Sequence, residues 1–295
     1  MNTGFNEIIL KEIHARSFNS EDPSGRSAYV IHESDAIEIA GKFNRSLNDI
    51  YITSLESNIW PQRYIRNHDT LNLQEQSKLA RARVAVIGCG GLGGQVLLML
   101  SRIGIGSLVV VDPDIFDETN LNRQAFANCD TIGMHKTIVA ATDIKLINPA
   151  VTVKQFQSTL NNSNASQIIN DSDVVVDALD NIADRKILTS VCCQKKIPII
   201  HGAIAGFEGQ VISIFPEDGG YNDLFDNGGD RDIHPDTNAE SLMGVPSITP
   251  VFIASLQAME VVKILLNRGN LFSQRMLYSD IELGEFNYFD FSKAA

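Results

Sequence analysis

Between residues 83 and 136 the chain gathers glycines, carboxylates, amides and two cations at spacings that suit a nucleotide. Gly88, Gly90, Gly91 and Gly93 follow an apolar run at 84–87 and open an apolar-periodic helix. A second apolar run, 108–111, ends in Asp112. Glycine at such positions lets backbone approach phosphate oxygens, and the helix N-terminus offers N–H groups and the positive end of its dipole. An acid roughly twenty residues beyond the first glycine is placed to accept ribose hydroxyls, which makes Asp112 a candidate ribose ligand.

The residues beyond Asp112 exceed the needs of a hydride-transfer site. Asp114, Asn120, Arg123, Gln124, Lys136 and the pair Asp180–Asn181 supply cations, amide donors and further carboxylates. That inventory suits ATP with its magnesium ion. Cations and N–H donors neutralise phosphate charge as it shifts, and a carboxylate holds the metal. Each residue also has a plainer reading. Lys136 and Arg123 could be surface charges, and an aspartate ahead of a helix, such as Asp180, is an ordinary N-cap. Asp177 reads as support for the loop that carries Asp180, and His201 as packing or loop support, not as a base. An NAD-dependent oxidoreductase would explain the glycine turn and leave Lys136 and Asp180 unexplained.

These residues need a scaffold, and strand and helix patterns alternate along the chain to provide it. Helices are expected at 92–102, 136–147, 165–170 and 183–195, with strands at 84–87, 108–111, 151–156, 174–177 and 197–200. The run AIAGFEGQVISIFP reads as two strands around a turn at Gly206 and Gly209. The expected fold is α/β: a doubly wound, Rossmann-like, mostly parallel sheet with antiparallel strands at one side. Ligands bind such sheets outside the carboxyl ends of the strands, where Asp112 and Asp180 both fall.

Residues 1–60 stand apart as an N-terminal, partly helical extension ahead of a domain at 61–295. A polar stretch, SFNSEDPSGRS, precedes an amphipathic segment with Ser34 as N-cap and Ile37, Ile39, Ala40 and Phe43 at helical spacing. The simplest role is packing on the body or on a partner subunit. The chain has 295 residues, 44% of them hydrophobic, with a formal charge of −12. That balance argues against nonspecific nucleic-acid binding, which needs clustered Lys and Arg. No apolar run is expected to reach the roughly 18–20 residues of a membrane span, since Arg102 and Asp112 break the best candidate. With no secretion pattern at the N-terminus, a soluble cytoplasmic protein is expected.

From RYIRN at 63–67 onward, the chain resembles the MoeB/ThiF/HesA family, bacterial relatives of the ubiquitin-activating E1 enzymes. The likeness runs through the glycine turn, DPD, TNLNRQ, GMHK, INP, VVVDALDN, IPIIHGAIAGFEGQV and SLQAMEVVKILL, in that order. It implies an adenylyltransferase that activates the terminal carboxylate of a small ubiquitin-like sulfur carrier ending in Gly-Gly, with an external sulfur donor. It assigns Thr119, Asn120, Leu121, Asn122, Arg123 and Gln124 to the nucleotide, puts Arg123 and Lys136 near phosphates, and favours a magnesium or catalytic role for Asp180. Asp114 would assist the metal. In MoeB-like homodimers the arginine of RY-x-R reaches the neighbour's ATP site, which makes Arg66 a candidate arginine finger. A segment at about 216–246 would cross over the active site.

The chain departs from the family's usual cysteines. Its four, Cys89, Cys129, Cys192 and Cys193, form no C-x-x-C pair, so the structural zinc of many relatives is expected to be absent. Gly220 and Asp223 stand where the first pair would fall, and Ala239 where ThiF-like proteins carry a reactive thiol. That implies adenylation without a thioester step. The resemblance leaves two alternatives: an E1-like enzyme of tRNA threonylcarbamoyladenosine modification, and a catalytically silent E1-like scaffold.

Overall fold

The structure, a computed structural model, describes residues 3–217 and 242–291. Most of the expected crossover, with Gly220, Asp223 and Ala239, lies outside them. Among the described residues an eight-stranded sheet organises the chain. Its parallel part comprises β4 (Arg83–Ile87), β5 (Ser107–Val111), β6 (Thr152–Phe156), β7 (Val174–Asp177) and β8 (Ile199–Ala205). Beyond β8, strands β9 (Glu208–Ile214), β10 (Arg275–Asp280) and β11 (Glu285–Asp290) continue it antiparallel, giving the order β11-β10-β9-β8-β7-β4-β5-β6. The expected fold class therefore stands. Chain order reverses between β4 and β7, so a crevice opens there, outside their carboxyl ends.

Alternation in β4 explains the layers. Val84 and Val86 join one apolar cluster and Ala85 and Ile87 the other, because successive side chains point to opposite faces. The first cluster is covered by α5 (Gly91–Ile103), α6 (Lys136–Ile147) and α9 (Ile248–Leu266), the second by α7 (Ala165–Ile168) and α8 (Ile182–Lys195). A strand buried on both faces reads as continuous Val and Ile, as β4, β5 and β7 do.

Helix α9 corrects the expectation about apolar runs. It has 19 residues and is long and apolar enough, by length and composition, to cross a membrane. Half of that window is buried in the protein, and Glu260 within it is wholly buried. The Glu260 carboxylate accepts from the Ser213 hydroxyl at 2.6 Å and the Phe272 N–H at 2.9 Å, and pairs with Lys263. Such partners make a buried charge tolerable. α9 is a core helix packed on α5 and on β8 and β9.

The N-terminal extension holds more sheet than its sequence suggests. It contains α1 (Thr3–Arg16), α2 (Glu33–Phe43) and α3 (Leu47–Glu56), but also β1 (Phe18–Glu21), β2 (Ser27–Ile31) and β3 (Trp60–Pro61), joined in a small sheet. The polar stretch is the β1–β2 hairpin. Its turn is held by the buried Asp22 carboxylate, which accepts from the Ser24 and Arg26 N–H groups at 2.8 and 2.9 Å. The amphipathic segment splits into two helices at Asn44, which adopts the left-handed conformation (φ 50°) that ends α2. Ser34 is not the N-cap. His32 holds that position in extended backbone, and Glu33 and Asp35 set negative charge on the first turn. Ile37 is exposed; Ala36, Ile39 and Ala40 form the buried stripe.

The extension packs on the body. Asn48 donates to the Ala80 carbonyl at 2.8 Å, and Glu33 binds Arg63, which also reaches the Ile147 carbonyl. Trp60, buried, belongs to the apolar cluster of the extension. Trp60→Ala is expected to lower unfolding free energy by about 3–5 kcal/mol, and Tyr29→Ala, at an exposed position of the same sheet, by no more than about 0.5 kcal/mol. Urea unfolding would check the contrast. Equal, small effects would mean that the extension does not share the fold's stability.

Candidate active site

The crevice between β4 and β7 is a cavity of about 470 Å³. Gly88, Gly90 and Gly91 form one wall. Gly88 has φ +97°, and a Cβ there would lie 2.5 Å from the Ala178 carbonyl oxygen. Gly93 does not line the cavity. A Cβ on it would fall 1.9 Å from the Gly88 oxygen, so its role is to let α5 close onto the turn. The 13-residue α5 starts at Gly91 with its N-terminus towards the cavity, an arrangement suited to phosphate.

Asp112 continues directly from β5. Its two oxygens accept the N–H groups of Cys89 and Asp114 at 2.7 and 2.8 Å, which fixes the carboxylate on the cavity wall. Burial pushes its carboxyl above the ordinary aspartate range, against the pull of Lys136 and the two N–H bonds. Lys136, the first residue of α6, is buried, and its Nζ pairs with Asp114 Oδ2 at 2.9 Å. Lys136 and Asp114 both line the cavity.

The run at 119–124 divides in two. Asn120, Arg123 and Gln124 line the cavity; Thr119, Leu121 and Asn122 do not. Thr119 and Asn122 hold Arg123 in place instead, since its Nη1 donates to the Thr119 carbonyl and to Asn122 Oδ1, each at 3.0 Å. Asn122 also donates to the Val245 carbonyl at 3.2 Å. Leu121 is partly exposed. Asp117, which no sequence signal singles out, both reaches the cavity and caps the short turn that begins this run. Ser158 and Thr159 form a further wall. They follow β6, so the order of a doubly wound sheet is the signal that places them there.

The competition over Asp180 is decided by its neighbour. Asn181 is the N-cap of α8: its side chain accepts from the Asp184 N–H at 2.9 Å. Asp180 and Asn181 both border the cavity, with Asp184 close behind. Carboxylates and amide oxygens of this kind are hard donors, the type magnesium takes. Arg66 is exposed on the 3-10 turn Gln62–Asn67 and does not line this cavity. Cys89 and Cys192 are buried and Cys129 and Cys193 exposed; none of the four lines the cavity.

Beneath Asp180, the wholly buried Asp177 accepts from the Leu179 N–H at 3.0 Å and from His201 Nδ1 at 2.8 Å, with Arg185 Nε 3.6 Å away. This agrees with its reading as loop support. Burial opposes the Asp177 charge, but Arg185 and the hydrogen bond from His201 outweigh it and hold the carboxyl below its ordinary range. Burial likewise holds His201 below its ordinary value.

A model of the ThiF family matches residues 63–295, and the chain belongs to that family. The SAMP-activating enzyme E1 of Haloferax volcanii is 36% identical over 212 residues, covering 72% of this chain and 77% of that enzyme. A probable molybdopterin-synthase adenylyltransferase of Porphyra purpurea is 36% identical over 69% of this chain, which spans 53% of that relative's length. Among solved structures, E. coli MccB with ATP has a TM-score of 0.65 at 19% identity, over 87% of this chain and 82% of MccB, a likeness of fold.

Asp177 and His201 make folding acid-sensitive. Both groups have folded-state values below their ordinary ones, so each contributes stability that is present above its unfolded value and lost as pH falls. The loss begins near the ordinary histidine value of 6.5, as the unfolded chain takes up a proton that buried His201 refuses. It resumes below the ordinary aspartate value of 3.8 through Asp177. Urea unfolding at pH 7.5 and 5.5 is expected to show a smaller drop in His201→Asn than in wild type. An unchanged drop would contradict the assignment.

Proposed function

We propose that this chain is an ATP- and magnesium-dependent adenylyltransferase. It activates the C-terminal glycine carboxylate of a small ubiquitin-like sulfur carrier as an acyl-adenylate and releases pyrophosphate. One observation carries the proposal: Asn181 takes the α8 cap, so Asp180 faces the same cavity as the glycine turn, Asp112, Arg123 and Lys136. The names of the relatives, a SAMP-activating E1 and a molybdopterin-synthase adenylyltransferase, support the same class of reaction.

The chemistry fits these residues. A terminal carboxyl has a pKa of about 3.3–3.7, so the substrate is already an anion and needs no general base. Its oxygen attacks the α-phosphorus, the bond from that phosphorus to the bridging oxygen breaks, and pyrophosphate leaves with the electron pair. The barrier lies in charge repulsion and alignment. Asp112 would hold the ribose, the turn and the α5 N-terminus the phosphates, and Arg123 and Lys136 the charge that shifts onto pyrophosphate. Asp180, with Asp114 assisting, would hold magnesium, which supplies further neutralisation of the phosphates. The nucleophilic sulfur of an external donor would then attack the acyl carbon, forming an acyl–sulfur bond as the bond to the bridging oxygen breaks and AMP leaves with the electron pair. A structural zinc is not part of the proposal, since the sequence has no C-x-x-C pair.

Arg66, outside its own subunit's cavity, is proposed to enter the cavity of a second copy in a homodimer. Mixing Arg66→Ala with Lys136→Ala tests this, because heterodimers rebuild one intact site. ATP–pyrophosphate exchange is expected to recover to about a quarter of wild type, the share of sites restored by random pairing. Activity of Arg66→Ala alone would place Arg66 outside the reaction, and no recovery from two inactive variants would place its action within its own subunit. Exchange itself is expected only with a carrier that keeps its last glycine, and Asp180→Ala is expected to lose at least about a hundredfold. Exchange that persists in Asp180→Ala would remove Asp180 from the mechanism.

A further inference from the structure

The turn that carries Asp180 is clamped on both sides of that residue. The Ala178 N–H donates to the Ile87 carbonyl at 2.9 Å, and the Leu179 N–H to Asp177 Oδ1. The Leu179 carbonyl accepts from Arg185, whose guanidinium also reaches the Gly202 carbonyl at 3.3 Å. Asn181 is fixed by its cap. Two side chains hold this clamp, Asp177 and Arg185, and both are buried.

Opposite charges this close should collapse onto each other, yet Arg185 Nε stays 3.6 Å from Asp177 Oδ2 and makes no hydrogen bond. The oxygen it faces is already taken by His201 Nδ1 at 2.8 Å. Asp177 and His201 stand in register on the adjacent parallel strands β7 and β8, which brings their side chains together. An acidic partner fixes the imidazole tautomer with the proton on Nδ1. Nε2 is then an acceptor, and it faces the Gln210 amide nitrogen at 3.3 Å. From the other side Gln257 donates to the Asp177 and Ile200 carbonyls at 2.9 and 3.3 Å, closing the backbone beneath.

We infer that His201 is a positioning residue for the metal-binding turn: by occupying Asp177 Oδ2 it keeps Arg185 on the Leu179 carbonyl, and so sets the place of Asp180. Without His201 the Asp177 oxygen is left buried and short of a donor, a costly state. Arg185 Nε, 3.6 Å away and without a hydrogen bond of its own, can supply one, and turning to Asp177 draws the guanidinium off Leu179. The inference rests on the proposed metal role of Asp180.

The test uses the full chain, α,β-methylene-ATP and Mn²⁺ as the metal probe, with free Mn²⁺ read by electron paramagnetic resonance. His201→Leu is expected to weaken Mn²⁺ binding to the complex about tenfold, the usual effect of losing a group that orients a metal ligand. His201→Asn, whose amide can stand where Nδ1 stood, is expected to restore affinity to within about threefold, and His201→Gln, whose amide falls near Nε2, is not. Should His201→Leu fail to fold, the Asn and Gln pair carries the test. Wild-type Mn²⁺ affinity in both Leu and Gln variants, or equal loss in Asn and Gln, would overturn the inference. Asp180→Ala separates the two levels of the argument: if it keeps wild-type Mn²⁺ affinity, the metal role of Asp180 itself is wrong.

Discussion

The site depends on one close approach, where the turn after β4 meets the end of β7. Gly88 lies so near the Ala178 carbonyl that no side chain fits between them, and Gly93 lies nearer still to the Gly88 oxygen. These contacts draw the carboxyl ends of β4 and β7 together and seat α5 directly on the turn. The cavity, the direction of the α5 N-terminus and the place of Asp180 are all consequences. Two of the four glycines thus serve contacts within the protein, while Gly90 and Gly91 line the cavity, where a Cβ would meet nothing closer than 3.5 Å.

Charge is arranged around that approach. The protein carries a net −12, yet the cavity holds Lys136 and Arg123 among its carboxylates. A buried ammonium needs a partner, and Asp114 supplies it across the mouth of the site. Asp112 is raised by burial and Asp177 lowered by its cation and histidine, so two aspartates at the ends of the strands on either side of β4 differ in proton affinity because their surroundings differ. The first lines the cavity, and the second holds the backbone beneath it.

Much of this is legible in the sequence, because strand alternation and glycine turns are local signals. The bounds of α6 and β7 match their expected ranges, and the parallel sheet with its antiparallel side agrees with the alternation of elements. The rest is set by competition between neighbours. Either Asp180 or Asn181 could cap α8, and only the three-dimensional turn shows that Asn181 does. Ser34 has cap chemistry, but extended backbone at His32 starts the helix earlier. The β1–β2 hairpin hides in a polar stretch because its stability comes from Asp22 and from pairing, not from apolar alternation. Thr119 and Asn122 sit in the same run as Arg123, and a run of polar residues does not reveal which members face the ligand and which hold the others. His201 reads as support in the sequence, but its partner across the sheet depends on strand register, which no short sequence window contains.

The central claim is that a carrier carboxylate attacks the α-phosphorus of ATP. Labelling the terminal carboxylate of a Gly-Gly carrier with ¹⁸O and trapping the product with hydroxylamine tests it most directly. The bridging oxygen of an acyl-adenylate comes from the carboxylate, so the AMP released is predicted to carry one ¹⁸O atom, with none in pyrophosphate. Unlabelled AMP formed alongside carrier hydroxamate, or label appearing in phosphate in place of AMP, would contradict it.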